Sequence, residues 1–453
     1  MISKRLLVIV FISLNFSLFA QQLNTSPFSR YGIGEINSVE SSHYFGWSNV
    51  SVAFSDPQYV NINNPASYAG FVKHNPLFDV SLSGKSALYK SNYNDNEATS
   101  TGNNFGLNNM FLGLPISRNW GMVIGIIPYS SKGYEVSSST TLDTNTAVST
   151  FTGDGSVNKL LIGNGFNLIN RGDSTKLSVG INVAYVFGNL ERLSTVTFNT
   201  PNTYNSRIQY RTAISGLSYQ AGLQYYKLIR GANNNKFFLR LGANYYLNSS
   251  LGTRNDFYAY SFVNNFGVQE LAKDTLAYGE NEAGTLEIPQ KISIGLGFGK
   301  NKNDQRRWDM GIEYSVMDWT EFQESNFSNN QTSLPLGPSS TIAIGYRIIP
   351  NLDWSNSNKS IFSKSTYSFG FHQTKSAILI NDVGLLNNGI NFGLSVPLLS
   401  SRSFSRMNLG VELGRLGDLT VDEIEENYIK FAIGFTMAPD TRYDRWFRKR
   451  KYD

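Results

Sequence analysis

For catalysis or metal binding this chain offers three histidines, no cysteine and a scatter of charged residues. His43, His74 and His372 lie far apart in sequence, and no two have the spacing of shared metal ligands. The acidic pair Glu425-Glu426 is expected in a turn, without a partner. The glycines of 295–299 belong to an alternating run with no helix behind it, so they form no phosphate loop. No Ser, His and Asp set has a recognisable context. The lack of cysteine excludes disulfides, thiolate metal sites, a Cys nucleophile and a lipoprotein anchor. The expectation is therefore no enzyme, no metal and no cofactor. What remains is a set of charges: Arg240, Lys291, Arg347 and Lys430 with Asp309, Glu313 and Glu412. Each falls by alternation on the small, polar face of its segment. A cation beside an apolar pocket would suit a ligand carboxylate, whereas enclosed charges of both signs more simply make a salt-bridged network.

Those faces presuppose strands. In 291–299, Ile292, Ile294, Leu296 and Phe298 alternate with Lys291, Ser293, Gly295, Gly297 and Gly299. A period of two is a strand, and a continuous apolar face opposite a small polar one sets the greasy side against something large. A soluble sandwich would bury that side in its own core; a transmembrane barrel shows it to lipid and keeps Gly, Ser, Asn and a few charges inside. The N-terminus favours the barrel. Lys4-Arg5, an apolar run over 6–19 and Ala20 before Gln21-Gln22 read as a signal peptide, residues 1–20, although Leu18 is bulky for its place. No later apolar run reaches the length of a membrane helix. The 40 glycines, 13% aromatic and 16% charged residues suit a wall with aromatic girdles and a lumen filled by small residues. The formal charge of +5 falls to +3, with 37 basic against 34 acidic residues, once Lys4 and Arg5 leave. That is too little to indicate nucleic acid.

The mature chain divides in three. Residues 21–72 are irregular and rich in Ser, Asn, Gly and Pro; residues 73–437 carry strand-like runs; residues 438–453 form a basic, aromatic tail. The runs number about fourteen, an even count within the range of single-chain barrels, and predict an all-β transmembrane barrel of antiparallel strands. Short joints at 117–119, 170–174 and 399–402 are expected on the periplasmic side. The polar stretches 134–156, 191–207, 248–287 and 319–338 are expected as extracellular loops, with a hairpin or short helix over 258–276. The leading segment reads as a plug, since a lumen of this width leaks unless filled and irregular backbone survives at membrane depth only when enclosed. Asn64 before Pro65 favours a turn there, and Asp56 has a lumenal cation as its expected partner. The alternative is a disordered periplasmic N-terminus. In the tail, Trp446 and Phe447 beside Arg448, Lys449, Arg450 and Lys451 suit a headgroup interface or a docking contact with a partner.

The stretch Gly46-Trp-Ser-Asn-Val-Ser-Val-Ala-Phe-Ser-Asp56, followed by Asn64-Pro-Ala-Ser-Tyr-Ala-Gly70, resembles the hatch of the long-chain fatty-acid transporter (FadL-type) outer-membrane family. Residues 111–134 are similar to that family's second and third strands, and Gly393-Leu-Ser-Val-Pro397, Asn408-Leu-Gly-Val-Glu-Leu-Gly414 and 426–435 to its last three. The resemblance implies a fourteen-stranded barrel with an N-terminal plug whose hatch motif includes Asp56, Asn64, Pro65 and Ala66. It also implies lateral diffusion, in which a hydrophobic ligand enters from outside and leaves sideways through a gap made by a kinked third strand. Pro128 is the candidate for that kink, since proline belongs in strands only at edges, ends or bulges; otherwise it begins the loop above the membrane. Two functions are expected. The first is passive uptake of fatty-acid-like hydrophobic molecules across the outer membrane of a Gram-negative bacterium. The second is a non-transporting accessory or adaptor subunit of a larger outer-membrane protein export or assembly complex. Outer-membrane lipid, a hydrophobic ligand and other outer-membrane or periplasmic proteins are the partners these readings imply.

Overall fold

Period-two alternation through 77–437 becomes a closed antiparallel barrel of fourteen strands. The computed structural model describes residues 26–439 except 38–40, 94–95, 143–144, 173, 201–202, 232–234, 266–268, 303–305, 325–335, 353–359, 381, 399–404 and 420–423. Residues 1–20, expected as a signal peptide, the joint expected at 399–402 and the tail residues Trp446, Phe447, Arg448, Lys449, Arg450 and Lys451 lie outside the described residues. The strands are β1 Leu77–Tyr93, β2 Asn96–Ser117, β3 Trp120–Leu142, β4 Asn145–Asn170, β5 Thr175–Phe198 and β6 Asn205–Arg230. β7 runs in line through Lys236–Tyr246 and Ser249–Asn265, and β8 through Gln269–Ile288 and Lys291–Lys302. Then come β9 Arg306–Asp318, β10 Pro338–Ile349, β11 Thr366–Ile380, β12 Val383–Pro397, β13 Arg406–Leu416 and β14 Ile424–Met437. Each strand pairs with the next, and β14 closes on β1 from Met437↔Phe78 to Ile424↔Ser91.

Alternation holds in the membrane zone. Ile292, Ile294, Leu296 and Phe298 on β8 are exposed, as are Ile342 and Ile344 on β10 and Ile429, Ile433 and Phe435 on β14. Beyond that zone the structure departs from the sequence reading. Most of the described residues in the polar stretches 134–156, 191–207 and 248–287 are strand, not loop; they continue the ladders of β3 to β8. β4 and β6 have 26 residues each, well over twice the roughly ten a strand needs to cross a bilayer. Residues 249–265 and 269–288 pair antiparallel, with Ser249 opposite Ile288. A wall that rises into water meets solvent on both faces, so its strands lose the apolar stripe that marks them while the backbone ladder persists.

Inside the wall lies the N-terminal segment. It holds a one-turn helix, α1 Ser42–Phe45, and a 3₁₀ turn, Pro65–Gly70. Its aromatic residues Tyr44, Phe45, Trp47, Phe54 and Tyr68 are fully buried. The wall accommodates it with glycine. A Cβ on Gly121 or Gly180 would overlap the backbone of Tyr68 or Pro65, one on Gly242 that of Val52, and one on Gly370 that of Trp47. Gly180 stands opposite Gly165 and Gly222, and Gly345 opposite Gly311 and Gly370. These register rows make a waist of bare backbone that lets the inner segment touch the sheet.

Candidate functional site: a filled lumen and a seam in the wall

Asn64 fixes the 3₁₀ turn from both sides. Its Oδ1 accepts from the Ala66 amide at 3.1 Å, capping the turn that Pro65 begins, while its Nδ2 donates to Val52 O at 2.8 Å and to the wall carbonyls of Leu223 and Ala243 at 3.1 and 3.2 Å. Asp56 sits against Arg347, whose Nη1 and Nη2 donate to its carboxylate at 2.6 and 3.0 Å. Arg347 Nε reaches Asp309 at 3.0 Å, and Asp309 also receives Arg240 at 2.8 Å and Arg307 at 2.9 Å. The Arg347 guanidinium stacks 4.5 Å from the Trp47 ring, and its Nη1 lies 3.1 Å from His43 Nε2. His43 itself stacks face to face on Tyr59 at 3.5 Å. Burial opposes the charge on Asp56, yet the Arg347 and Arg307 guanidiniums outweigh it and hold that carboxyl well below the usual carboxylate range. Glu313 accepts from the Ser51 and Val52 amides at 2.9 Å each.

The seven charges singled out in the sequence thus divide. Arg240, Asp309 and Arg347 form a buried network that ties the inner segment to β7, β9 and β10, and Glu313 secures it on β9. Lys291, Glu412 and Lys430, together with Glu313, border a cavity, where Lys291 Nζ lies 5.8 Å from the Tyr246 ring and Lys430 Nζ 4.8 Å from that of Tyr428. Glu412 accepts from Asn391 at 2.7 Å and Tyr428 at 2.9 Å. The cavity, of about 450 Å³, is walled by apolar groups including Ile33, Ile62, Ile127, Leu161, Val186 and Ile288. His372 also faces it.

At Pro128 the wall is incomplete. Among the described residues β2 and β3 pair only from Ser117↔Trp120 to Met110↔Ile126, and above that point β2 keeps β1 alone. Pro128 lies two residues past the last pair, inside the continuous strand β3, where the register with β4 shifts between Pro128 and Ser130. The inner segment occupies the opening. Glu35 and Ile36 pair with Ser131 and Ser130 as a two-residue strand on the free edge of β3. Asn37 then bridges the seam: its amide donates to Tyr129 O at 2.9 Å, and its Nδ2 to Pro128 O at 3.3 Å and to Asn108 Oδ1 of β2 at 3.1 Å. Glu35 meets Lys85 of β1 at 2.9 Å and Lys430 of β14 at 3.9 Å. A second, smaller cavity of about 90 Å³ lies in the seam beside Phe105 and Leu107 and shares Glu35, Ile36, Asn37, Pro128 and Lys430 with the first. Sequence reasoning missed Glu35, Asn37, Lys85, Asn108 and Arg307. A two-residue strand carries no period, and a bridge between unpaired strands has no local mark. The glycine rows were legible in principle, as glycines repeated at one height of successive strands.

The family model described as BamG matches residues 1–453, the entire chain. No curated protein sequence matches. Among solved structures, the Pseudomonas putida toluene transporter TodX is similar with a TM-score of 0.55 and 14% identity, covering 88% of this chain and 98% of that one. The Ralstonia pickettii toluene transporter TbuX gives 0.53 and 13% over 88% and 98%. A Pseudomonas aeruginosa FadL homologue gives 0.53 and 10% over 89% and 99%. At such identities the likeness is one of fold: an outer-membrane barrel of the FadL type.

Proposed function

The chain belongs to the BamG family, and from that premise we propose that it is an outer-membrane barrel of a Gram-negative cell that passes small hydrophobic molecules from its lumen sideways into the bilayer. The observation that carries this reading is the apolar cavity, which reaches Pro128, Asn37 and Ile36 at the place where the β2–β3 ladder stops. The toluene transporters that share the fold support the substrate class, which is a small apolar or amphiphilic molecule. Pro128 keeps a ladder donor out of the seam. Pro128→Val should therefore narrow the opening and slow uptake of toluene or a long-chain fatty acid several-fold at unchanged surface abundance. Uptake unaltered in that variant, or absent in the native barrel, would defeat the channel reading.

A second reading is favoured by two different observations: a lumen cemented by the Asp56–Arg347–Asp309 network, and a wall that rises in paired strands far past the membrane. Both suit a sealed accessory subunit of a larger outer-membrane complex. Purification under native conditions distinguishes the two, since an accessory subunit co-migrates with stoichiometric partners and a channel does not.

A further inference from the structure

At the end of the barrel opposite the rising wall, which its short turns mark as periplasmic, aromatic rings on the outer side of the wall form a shelf across β7 to β10. Phe237 stacks on Phe298 with centroids 6.1 Å apart, Phe298 meets Trp308 at 5.7 Å, and Trp308 meets Tyr346 at 6.3 Å. Such rings sit at headgroup level. Directly beyond them the same face turns cationic. Lys300, paired with Phe237 on one side and Trp308 on the other, carries its Nζ 5.1 Å from the Phe237 ring, and Lys302 and Arg306 follow as the last pair of the β8–β9 ladder. Alternation puts all three on the side of Ile294, Leu296 and Phe298, outside the wall. Lys302 and Arg306 are exposed and stand directly opposite one another, a like-charge pairing that costs stability. Among the described residues no carboxylate pairs with any of the three. Asp304, in the turn between Lys302 and Arg306, lies outside the described residues, and counting it still leaves three cations against one acid.

We propose that the foot of β8 and β9 binds an anionic phospholipid of the periplasmic leaflet, with its phosphate held by Lys300, Lys302 and Arg306 and its acyl chains lying along the Phe237, Phe298 and Trp308 rings. The cations stand on the lipid side of the wall, and the rings continue them towards the bilayer. A headgroup with chains attached therefore fills the whole site, whereas a soluble anion fills only its cationic part. A phosphodiester between Lys302 and Arg306 also removes the cost of their pairing, and the guanidinium fork of Arg306 suits two phosphate oxygens. The site shares no residue with the cavities or the seam, so it holds for a channel and for an accessory subunit alike.

Native mass spectrometry of the full chain in detergent, titrated with phosphatidylglycerol or phosphatidylethanolamine of identical acyl chains, tests the site. The native barrel should retain phosphatidylglycerol more tightly than phosphatidylethanolamine. A cation near a membrane surface contributes about fivefold to anionic-lipid affinity, so Lys302→Gln combined with Arg306→Gln should weaken phosphatidylglycerol about 25-fold and leave phosphatidylethanolamine nearly as it was. Lys300→Gln alone should cost about fivefold. Arg118→Gln combined with Arg171→Gln, which removes two cations from other periplasmic turns, should change neither lipid. Heat-modifiable gel mobility verifies that each barrel is folded, and if the Lys302 and Arg306 double variant fails that check, Lys300→Gln decides. Equal retention of the two lipids by the native barrel, unchanged phosphatidylglycerol binding in a folded site variant, or an equal loss in the Arg118 and Arg171 variant overturns the proposal. Displacement of phosphatidylglycerol by millimolar inorganic phosphate overturns it too, since that result identifies a site for free anions.

Discussion

At the scale of residues, Arg347 does what no lysine could. One planar guanidinium donates to Asp56 through Nη1 and Nη2, to Asp309 through Nε, and lies over Trp47. Such a network is weak grounds for net stability, because desolvating the charges offsets most of their attraction, but removing one member is another matter. Arg347→Ala leaves Asp56 without its principal partner and Asp309 with only Arg240 and Arg307. The expected loss is about 3–5 kcal/mol in urea unfolding from detergent, the usual penalty for breaking a buried pair. A loss under about 1 kcal/mol, the value for surface pairs, would mean that water reaches the network.

At the scale of elements, each membrane strand has two unlike faces and each face has a distinct test. Ile294 on β8 is 55% exposed, opposite Ala243 on β7 and Tyr314 on β9. Exposure of an isoleucine flanked by apolar neighbours is what lipid contact requires. Ile294→Arg should cost roughly 2–4 kcal/mol of folding free energy in bilayers if the site is near the midplane. A neutral effect there would place this face in water. The inner face answers to volume rather than polarity. Gly180→Val should prevent the inner segment from seating, since its Cβ would overlap Pro65. Protease cleavage of the N-terminal 70 residues in an otherwise folded barrel would report that loss.

At the scale of the whole molecule, the described residues of the inner segment lend the sheet a single two-residue pairing, while the fourteen strands close on themselves through β14 and β1. Deleting 21–69 should therefore leave a folded barrel, and one that conducts ions in planar bilayers, whereas the intact protein stays electrically silent. Conduction by the intact protein at the level of the deletion would show that the segment does not fill the lumen.

The sequence by itself determined the class, the strand count and the two faces of each strand, because period-two alternation is written locally and lipid enforces it at every turn of the wall. It also marked Asn64-Pro65 as a turn, since proline and an amide cap act within three residues. It misjudged 134–156, 191–207 and 248–287, where water on both faces erases the stripe without breaking the ladder. Only the tertiary structure decided which charges meet. Arg347 and Asp56 are 291 positions apart, and nothing local says that strand register brings them to one height. The seam is likewise a tertiary fact: Pro128 can be read from the sequence, but that β2 and β3 part there, and that Glu35 and Asn37 fill the space, depends on how the closed barrel positions segments that share no sequence neighbourhood.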